Sequence, residues 1–177
     1  MISIGGWSES GGFYDMSATA QGRETFANSC VDFLRQYAFD GIDLDWEYPT
    51  SAAGATSPLD EMMYYTKYSS VVYANYLSLL KLLKQKLDAA GTSDNKKYLL
   101  TIAAPASGWT LSGMELAEHC KYIDFLNLMT YDLHGAWNSN VGHQAALYAT
   151  YADPETAGMD QPTLNVDWAV KYYSGIL

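Results

Sequence analysis

The sequence predicts an α/β fold in which parallel strands are connected by helices. Strand-like and helix-like segments alternate four times along the chain, the strand candidates are short and apolar, and glycine or proline follows several of them. Strands that alternate with helices in this way pair in parallel through helical crossovers. Two architectures fit the pattern, an open doubly wound sheet and a (β/α)8 barrel.

Each element is assigned from its hydrophobic spacing and from the residues that interrupt it. Strand candidates lie at 1–6, 42–46, 98–104 and 123–131, and helix candidates at 21–38, 71–90, 111–119 and 165–173. Glycine, serine and other turn residues predict loops at 8–19, at 51–58 and over most of 132–164. Gly91 is expected to end the second helix, and Pro105 follows the third strand.

The length of the chain favours part of a barrel. No GxGxxG or GxxxxGKS loop follows any strand candidate, which weakens the nucleotide-binding open sheet. Four strand–helix units are half of a barrel, and 177 residues fall short of the roughly 250 that are typical of one. Because the chain opens inside a strand and closes just after a helix, we expect residues 1–177 to be one partial domain of a longer protein.

Composition and charge exclude several classes of partner. The chain is 49% hydrophobic, and its 20 acidic and 10 basic residues give a net charge of −10. This charge argues against nucleic acid or an anionic membrane as a partner, and no run of about 18 apolar residues is present to span a bilayer. The 15 tyrosines outnumber the 5 phenylalanines, so many aromatic rings carry a hydroxyl group and suit partly solvent-exposed positions. Such positions occur equally well in a sugar-binding cleft or at the ordinary surface of a soluble protein.

The most informative segment is 39–49, which reads FDGIDLDWEYP. One face of a strand here carries Asp43, Asp45 and Glu47, and the other carries Ile42, Leu44 and Trp46. Since the apolar set can pack against helices, the acidic set is expected to face the barrel axis near the C-terminal rim, where barrel active sites lie. Crowded carboxylates repel one another, so at least one should have a raised pKa. A proton on Glu47 is what a general acid needs.

Two other interpretations of the acidic strand stay open. Divalent metals bind acid-rich segments, but their ligands usually come from several elements, and His119, His134 and His143 lack HxxxH spacing. We therefore predict neither a metal nor a cofactor. A solvated edge strand is the other interpretation, and the apolar residues that alternate with the acids make it less favourable.

Three motifs resemble glycoside hydrolase family 18, the chitinases. Residues 40–47 (DGIDLDWE) match its DxxDxDxE signature, 3–7 (SIGGW) resemble its SxGG motif on the third barrel strand, and 129–132 (MTYD) resemble its sixth-strand motif. The motifs lie in the order that the family has. The resemblance implies a fragment of a (β/α)8 TIM barrel, from about strand three to strand six with their helices.

The resemblance also implies a retaining, substrate-assisted endo-hydrolysis of β-1,4 N-acetylglucosamine linkages, in which the N-acetyl carbonyl of the substrate attacks the anomeric carbon. Glu47 would protonate the glycosidic oxygen and later activate water. Asp45 would orient the acetamido group, and Asp43 would share a proton with Asp45. The Tyr131 hydroxyl would bond the N-acetyl oxygen.

The remaining residues implied by the resemblance bind substrate or shape the motif. The substrate-binding set comprises Tyr48, Trp7, Met129, Asp132 and Trp137, and the structural residues of the signature are Asp40 and Gly41. For Met129, Trp7 and Trp137, packing inside the protein is the competing interpretation. The implied partner is chitin or a chito-oligosaccharide. Secretion is expected because chitin is extracellular, although the chain shows no signal peptide, and the sequence predicts no oligomeric state.

Two other functions compete with that of a chitinase. One is a chitin-binding protein of the same family without catalysis, against which the presence of Glu47 argues. The other is an endo-β-N-acetylglucosaminidase acting on N-glycans, from which Trp46 and the Tyr48-Pro49 pair point away. We expect the isolated chain to be poorly stable and inactive, because half a barrel exposes two strand edges. Clear turnover of a chromogenic chitobioside by the isolated chain would contradict that expectation.

Overall fold

Four parallel strands form a single sheet in sequential order. The computed structural model describes residues 1–150, 153, 155–156 and 162–176. The strands are β1 (Ile2–Gly5), β2 (Gly41–Asp45), β3 (Leu99–Pro105) and β4 (Phe125–Met129). Their spatial order is β1-β2-β3-β4, and every pair is parallel. A doubly wound sheet reverses its strand order at a switch point. The sequential order therefore agrees with successive strands of a barrel.

Helices connect the strands and cover one face of the sheet. They are α1 (Gly11–Ala18), α2 (Ala20–Tyr37), α3 (Pro58–Asp60), α4 (Thr66–Tyr68), α5 (Val72–Asp94), α6 (Gly108–Leu111), α7 (Leu116–His119) and α8 (Val166–Ile176). A π-helical turn, Glu61–Tyr65, joins α3 to α4, and a 3₁₀ turn, Cys120–Tyr122, follows α7. Over the described part of the chain, no helix is long and apolar enough to cross a bilayer.

The hydrophobic core lies between the sheet and the two long crossover helices, α2 and α5. Large fully buried members from the strands and helices include Ile42, Leu44, Leu100, Leu79, Leu80, Leu83 and Leu87. Burying each of these side chains contributes about 1.5–3 kcal/mol. Because alternate residues of a strand point to opposite faces, this packing directs Asp43 and Asp45 to the face away from the helices, as the alternation predicted.

The segment 8–19 is helical over most of its length, so the loop predicted there is wrong. Two glycines begin α1, and glycine lowers helix propensity by about 1 kcal/mol relative to alanine. The helix forms because Phe13 and Tyr14 are buried against the strand end: Phe13 stacks on Trp46 at 5.2 Å between ring centroids, and Tyr14 meets the same ring edge-on at 5.1 Å. Tertiary packing here outweighs local propensity.

The prediction that Gly91 ends the second long helix is wrong. Helix α5 continues to Asp94, and Asn95 forms the left-handed cap with a φ of 52°. A Cβ on Gly91 would lie 2.6 Å from the carbonyl oxygen of Lys96. The glycine is therefore required where the chain turns back across the helix, and the helix ends one turn later.

Other predicted elements exist but have different bounds. The helix predicted at 111–119 is two short helices, α6 and α7, and the strand predicted at 123–131 is the shorter β4. The last helix begins as predicted, with the Asn165 side chain accepting a bond of 2.8 Å from the amide of Trp168. Within the loop predicted at 132–164, residues 151–152, 154 and 157–161 lie outside the described residues.

Candidate active site

The acidic side chains of β2 lie at its carboxyl end, on the face opposite the core. The apolar residues that alternate with them, Ile42, Leu44 and Trp46, are at most 1% exposed. Asp43, Asp45 and Glu47 are each half-buried. Polar side chains from the neighbouring strands contact this row. These contacts and the apolar side chains between the acids are incompatible with a merely solvated edge strand.

Asp43 is hydrogen-bonded by strands on both sides of it. Its Oδ2 accepts from Ser3 Oγ at 2.7 Å, and its Oδ1 accepts from Thr101 Oγ1 at 2.5 Å and Asn127 Nδ2 at 2.9 Å. Ser3 and Thr101 are the direct register partners of Asp43 on β1 and β3. Three donors thus connect the Asp43 carboxyl group to β1, β3 and β4.

Thr101 and Asn127 are two site residues for which no sequence motif predicts a role. Each is a polar residue inside an otherwise apolar strand, Thr101 in LLTIAAP and Asn127 in FLNLM. Both strand positions share the inward face with Asp43, so a polar residue at an inward-facing strand position was the signal available in the sequence.

Asp45 has a different environment from its neighbour. Its Oδ1 is buried and has no hydrogen-bond partner among the described residues. Burial raises the pKa of Asp45, and the negative charge of Asp43 raises it further. Asp45 therefore keeps a proton to higher pH than a free aspartate.

Glu47 lies at the end of the row and also has a raised pKa. Burial is the largest cause, and the charges of Asp45 and Asp132 add to it, while the Tyr48 side chain acts in the opposite sense. The peptide bond between Glu47 and Tyr48 is cis. A carboxyl group that retains its proton at the rim of the sheet can donate that proton to a bound substrate.

The two glycines after β1 allow its end to approach β2 closely. Gly5 has a φ of +119°, and a Cβ there would lie 2.2 Å from the carbonyl oxygen of Asp45. The amide of Gly6 donates to that same oxygen at 2.7 Å. Only glycine fits this backbone contact, which gives the SxGG motif a physical explanation.

The signature residues before the acids shape the start of β2. Asp40 is exposed in the turn, and its carbonyl oxygen accepts from the Leu99 amide at 3.0 Å. A Cβ on Gly41 would lie 2.5 Å from the Leu99 carbonyl oxygen. Both residues therefore contribute to the joining of β2 and β3 rather than to the acidic row.

The segment after β4 brings two more polar side chains near the row. Burial raises the pKa of Tyr131, and the charges of Asp45 and Glu47 raise it further, which reports their proximity. Asp132 has a φ of 53° and accepts a bond of 2.5 Å from Gln144 Nε2. No motif or spacing predicts a role for Gln144, which lies 12 residues further along the chain.

The aromatic candidates differ in their relation to Glu47. Burial raises the pKa of Tyr48, followed by the charge of Glu47 beside it, and Trp7 meets the Tyr48 ring edge-on at 6.4 Å. Trp7 is 46% exposed and Trp137 is 69% exposed, so neither is core. Trp137 lies against Gly135, whereas Met129 is half-buried and pairs with Pro105 of β3.

In the described ranges, no group of three histidine, cysteine or acidic side chains is arranged to hold a metal ion.

Trp109, whose environment the sequence left open, is 62% exposed and donates from Nε1 to the Ala53 carbonyl oxygen at 3.0 Å.

The motifs and the geometry are those of one enzyme family. The family model for glycosyl hydrolases family 18 matches residues 1–176. The chain belongs to this family. Its fold class is thereby confirmed as an α/β fragment of the family's TIM barrel.

Named relatives within glycosyl hydrolases family 18 are similar over almost the whole chain. Chitinase A1 of Niallia circulans is 46% identical over 169 residues, which are 94% of this chain and 22% of that protein. The crystal structure of a family 18 chitinase from Chromobacterium violaceum has a TM-score of 0.87 at 40% identity, covering 100% of this chain and 30% of that one.

A third relative was solved with an oligosaccharide. The structure of Ostrinia furnacalis Group II chitinase catalytic domain 2 in complex with penta-N-acetylchitooctaose has a TM-score of 0.78 at 28% identity. It covers 99% of this chain and 41% of that one. The chain thus spans between 22% and 41% of the length of these three relatives.

Proposed function

We propose that residues 1–177 are part of the catalytic domain of a chitinase, which hydrolyses β-1,4 linkages between N-acetylglucosamine units. The observation that carries the proposal is the position of Glu47, half-buried at the open end of the row of acids, where burial and the charges of Asp45 and Asp132 raise its pKa. The names of the relatives support the same activity. The substrate is chitin or a chito-oligosaccharide, and the enzyme is secreted to reach it.

The first step of the proposed reaction cleaves the glycosidic bond. Glu47 gives its proton to the glycosidic oxygen while the carbonyl oxygen of the substrate's own acetamido group attacks the anomeric carbon. The carbon–oxygen bond to the leaving sugar breaks, and an oxazolinium-like ring forms. The Asp45 carboxyl group accepts a hydrogen bond from the acetamide N–H and stabilises the positive charge that develops on the ring.

The second step returns the enzyme to its starting state. The Glu47 carboxylate removes a proton from water, the water oxygen attacks the anomeric carbon from the face that the leaving sugar vacated, and the ring opens with net retention. Asp43 shares a proton with Asp45, so that the pair can rearrange its charge during the cycle. Its three hydrogen bonds from Ser3, Thr101 and Asn127 suit that role.

Residues around the row bind the sugar in this proposal. The Tyr131 hydroxyl bonds the acetamido oxygen, and Asp132, oriented by Gln144, accepts from sugar hydroxyls. Trp7 and Trp137 offer exposed rings on which apolar sugar faces stack. Tyr48 and Met129 complete the wall next to Glu47.

The test is the substitution Glu47→Gln in the whole natural protein. It removes the proton donor and keeps the shape, so hydrolysis of chitotetraose should fall about 10²–10⁴-fold or more while binding of the oligosaccharide is retained. Glu118→Gln, which changes an exposed glutamate paired with Lys121, is the matched control and should leave turnover unchanged.

Three outcomes would overturn the proposal. Unchanged hydrolysis by Glu47→Gln would exclude the proposed acid, and binding of chitotetraose without hydrolysis by the natural protein would favour a chitin-binding protein. Cleavage of N-glycans from a glycoprotein, with none of chitotetraose, would instead identify an endo-β-N-acetylglucosaminidase.

A further inference from the structure

Ser10 is a fully buried serine whose hydroxyl contacts the backbone of both strand ends. It is 0% exposed and occupies the N-cap position of α1. Serine is favoured there because its hydroxyl usually accepts from an amide of the first helical turn, yet Ser10 makes no such cap bond. Its Oγ instead donates to the Gly6 carbonyl oxygen at 2.8 Å and accepts from the Glu47 amide at 2.9 Å.

These two bonds replace one bond of the parallel ladder. The Gly6 amide donates to the Asp45 carbonyl oxygen at 2.7 Å. In a regular parallel pair, the next bond would join the Glu47 amide directly to the Gly6 carbonyl oxygen. The Ser10 hydroxyl lies between those two atoms and bonds to both. The hydroxyl thus takes the place of a direct strand-to-strand bond at Glu47, and it also lies 3.3 Å from the Asp45 carbonyl oxygen.

The position of Ser10 is itself fixed by packing. Phe13, three residues along, stacks on Trp46, the residue before Glu47. The Tyr14 hydroxyl donates to the Tyr48 carbonyl oxygen at 3.3 Å, on the other side of Glu47. The helix α1 and its N-cap residue therefore contact Glu47 and both of its neighbours in the chain, Trp46 and Tyr48.

We propose that Ser10 is a positioning residue for Glu47, whose hydroxyl sets the distance of the acid from β1 and thereby aims its carboxyl group. The proposal rests on the proposed function of Glu47. Without the hydroxyl, the Glu47 amide loses its acceptor and the Gly6 carbonyl oxygen loses its donor. The loss of these bonds displaces the Glu47 backbone, and a displacement on the order of 1 Å can reduce a rate about 10²-fold.

The experiment compares Ser10→Ala with the natural protein on two substrates. Chitotetraose has a poor leaving group and needs the proton of Glu47, whereas 4-methylumbelliferyl chitobioside has a good leaving group and needs it less. We expect kcat/KM for chitotetraose to fall about 10–100-fold, and that for the aryl glycoside to fall about 3-fold or less. A purely structural role would lower both equally.

Ser17→Ala is the matched control. Ser17 is also 0% exposed, and its hydroxyl bonds only within α1, to the Tyr14 carbonyl oxygen at 3.4 Å. Equal losses for both substrates in Ser10→Ala, or losses equal to those of Ser17→Ala, would overturn the proposal. If Ser10→Ala does not fold, Ser10→Cys, which is nearly isosteric but a weak donor and acceptor, provides the same comparison.

A second measurement separates this proposal from the proposed function. Hydrogen exchange of the Glu47 amide should be about 10-fold faster or more in Ser10→Ala, because that amide loses its acceptor. If the natural protein hydrolyses no chito-oligosaccharide, the proposed function fails, and faster exchange still supports the placement of Glu47 by Ser10. Unchanged exchange contradicts that placement.

Discussion

The Thr101 hydroxyl donates to Asp43 Oδ1 at 2.5 Å, and the two residues are direct register partners on β3 and β2. The threonine is fully buried. Since Ser3 bonds the other carboxylate oxygen from β1, the charge of Asp43 is bound from both neighbouring strands. Asp45, two residues further along, has a buried oxygen with no partner among the described residues. The two carboxyl groups therefore differ in their hydrogen bonding because of the strands beside them.

Replacing Thr101 should impair catalysis more than folding. Thr101→Val keeps the shape and removes one donor to a carboxylate, an interaction worth about 1.5–3 kcal/mol. We expect kcat/KM for chitotetraose to fall about 10-fold or more. Thr92→Val, at an exposed threonine whose hydroxyl bonds only its own helix, should change kcat/KM little. Equal activities for the two variants would contradict a role for Thr101.

The basic limb of the pH profile should respond to Asp45. The negative charge of Asp45 raises the pKa of Glu47, so Asp45→Asn should lower that pKa. Because the protonated form of Glu47 is the active one, the basic limb of kcat/KM should move to lower pH. The titration of the Glu47 carboxyl, followed by NMR, measures the same shift independently of turnover. The control Asp32→Asn, on the outer surface, should change neither the basic limb of kcat/KM nor the pKa of Glu47. A shift of the basic limb to higher pH in Asp45→Asn would contradict the prediction.

Gly5 should tolerate no side chain. In Gly5→Ala the Cβ meets the Asp45 carbonyl oxygen, and the residue keeps a positive φ; together these should cost about 3 kcal/mol or more. Gly12→Ala is the control, since a Cβ there meets nothing within 4 Å and alanine in a helix should add about 0.5–1 kcal/mol. Urea denaturation of both variants gives the two changes in the free energy of unfolding, and opposite signs are expected.

His119 should make stability depend on pH in the mildly acidic range. The side chain is 0% exposed between the rings of Tyr73 and Tyr76, and burial lowers its pKa. Below about pH 6.5, His119 is protonated in the unfolded chain but stays neutral in the folded chain until a lower pH. The free energy of unfolding therefore decreases as the pH falls below that value. The contribution approaches about 1.4 kcal/mol per pH unit.

The measurement for His119 is the urea midpoint between pH 7 and pH 5. His119→Phe should reduce the slope of stability against pH relative to the natural protein. The exposed His143 provides the control, and His143→Asn should leave that slope unchanged. A steeper slope for His119→Phe would show that another group dominates.

Sequence reasoning succeeded where the pattern was local and failed where packing decided. The period of two on β2 correctly separated the acidic and apolar faces, because alternation follows from strand geometry alone. The helix at α1 was missed because its stability comes from the contacts of Phe13 and Tyr14 with Trp46, more than 30 residues away in the chain.

The sequence by itself determined the family motifs, the succession of strands and helices, and the row of three acids, since these depend on residue type and on neighbours a few positions apart. Only the tertiary structure decided which donors reach that row. Ser3, Thr101 and Asn127 are 40, 58 and 84 residues from Asp43, and Ser10 is 37 residues from Glu47. Their approach depends on the register of parallel strands, which is fixed by how the crossover helices pack.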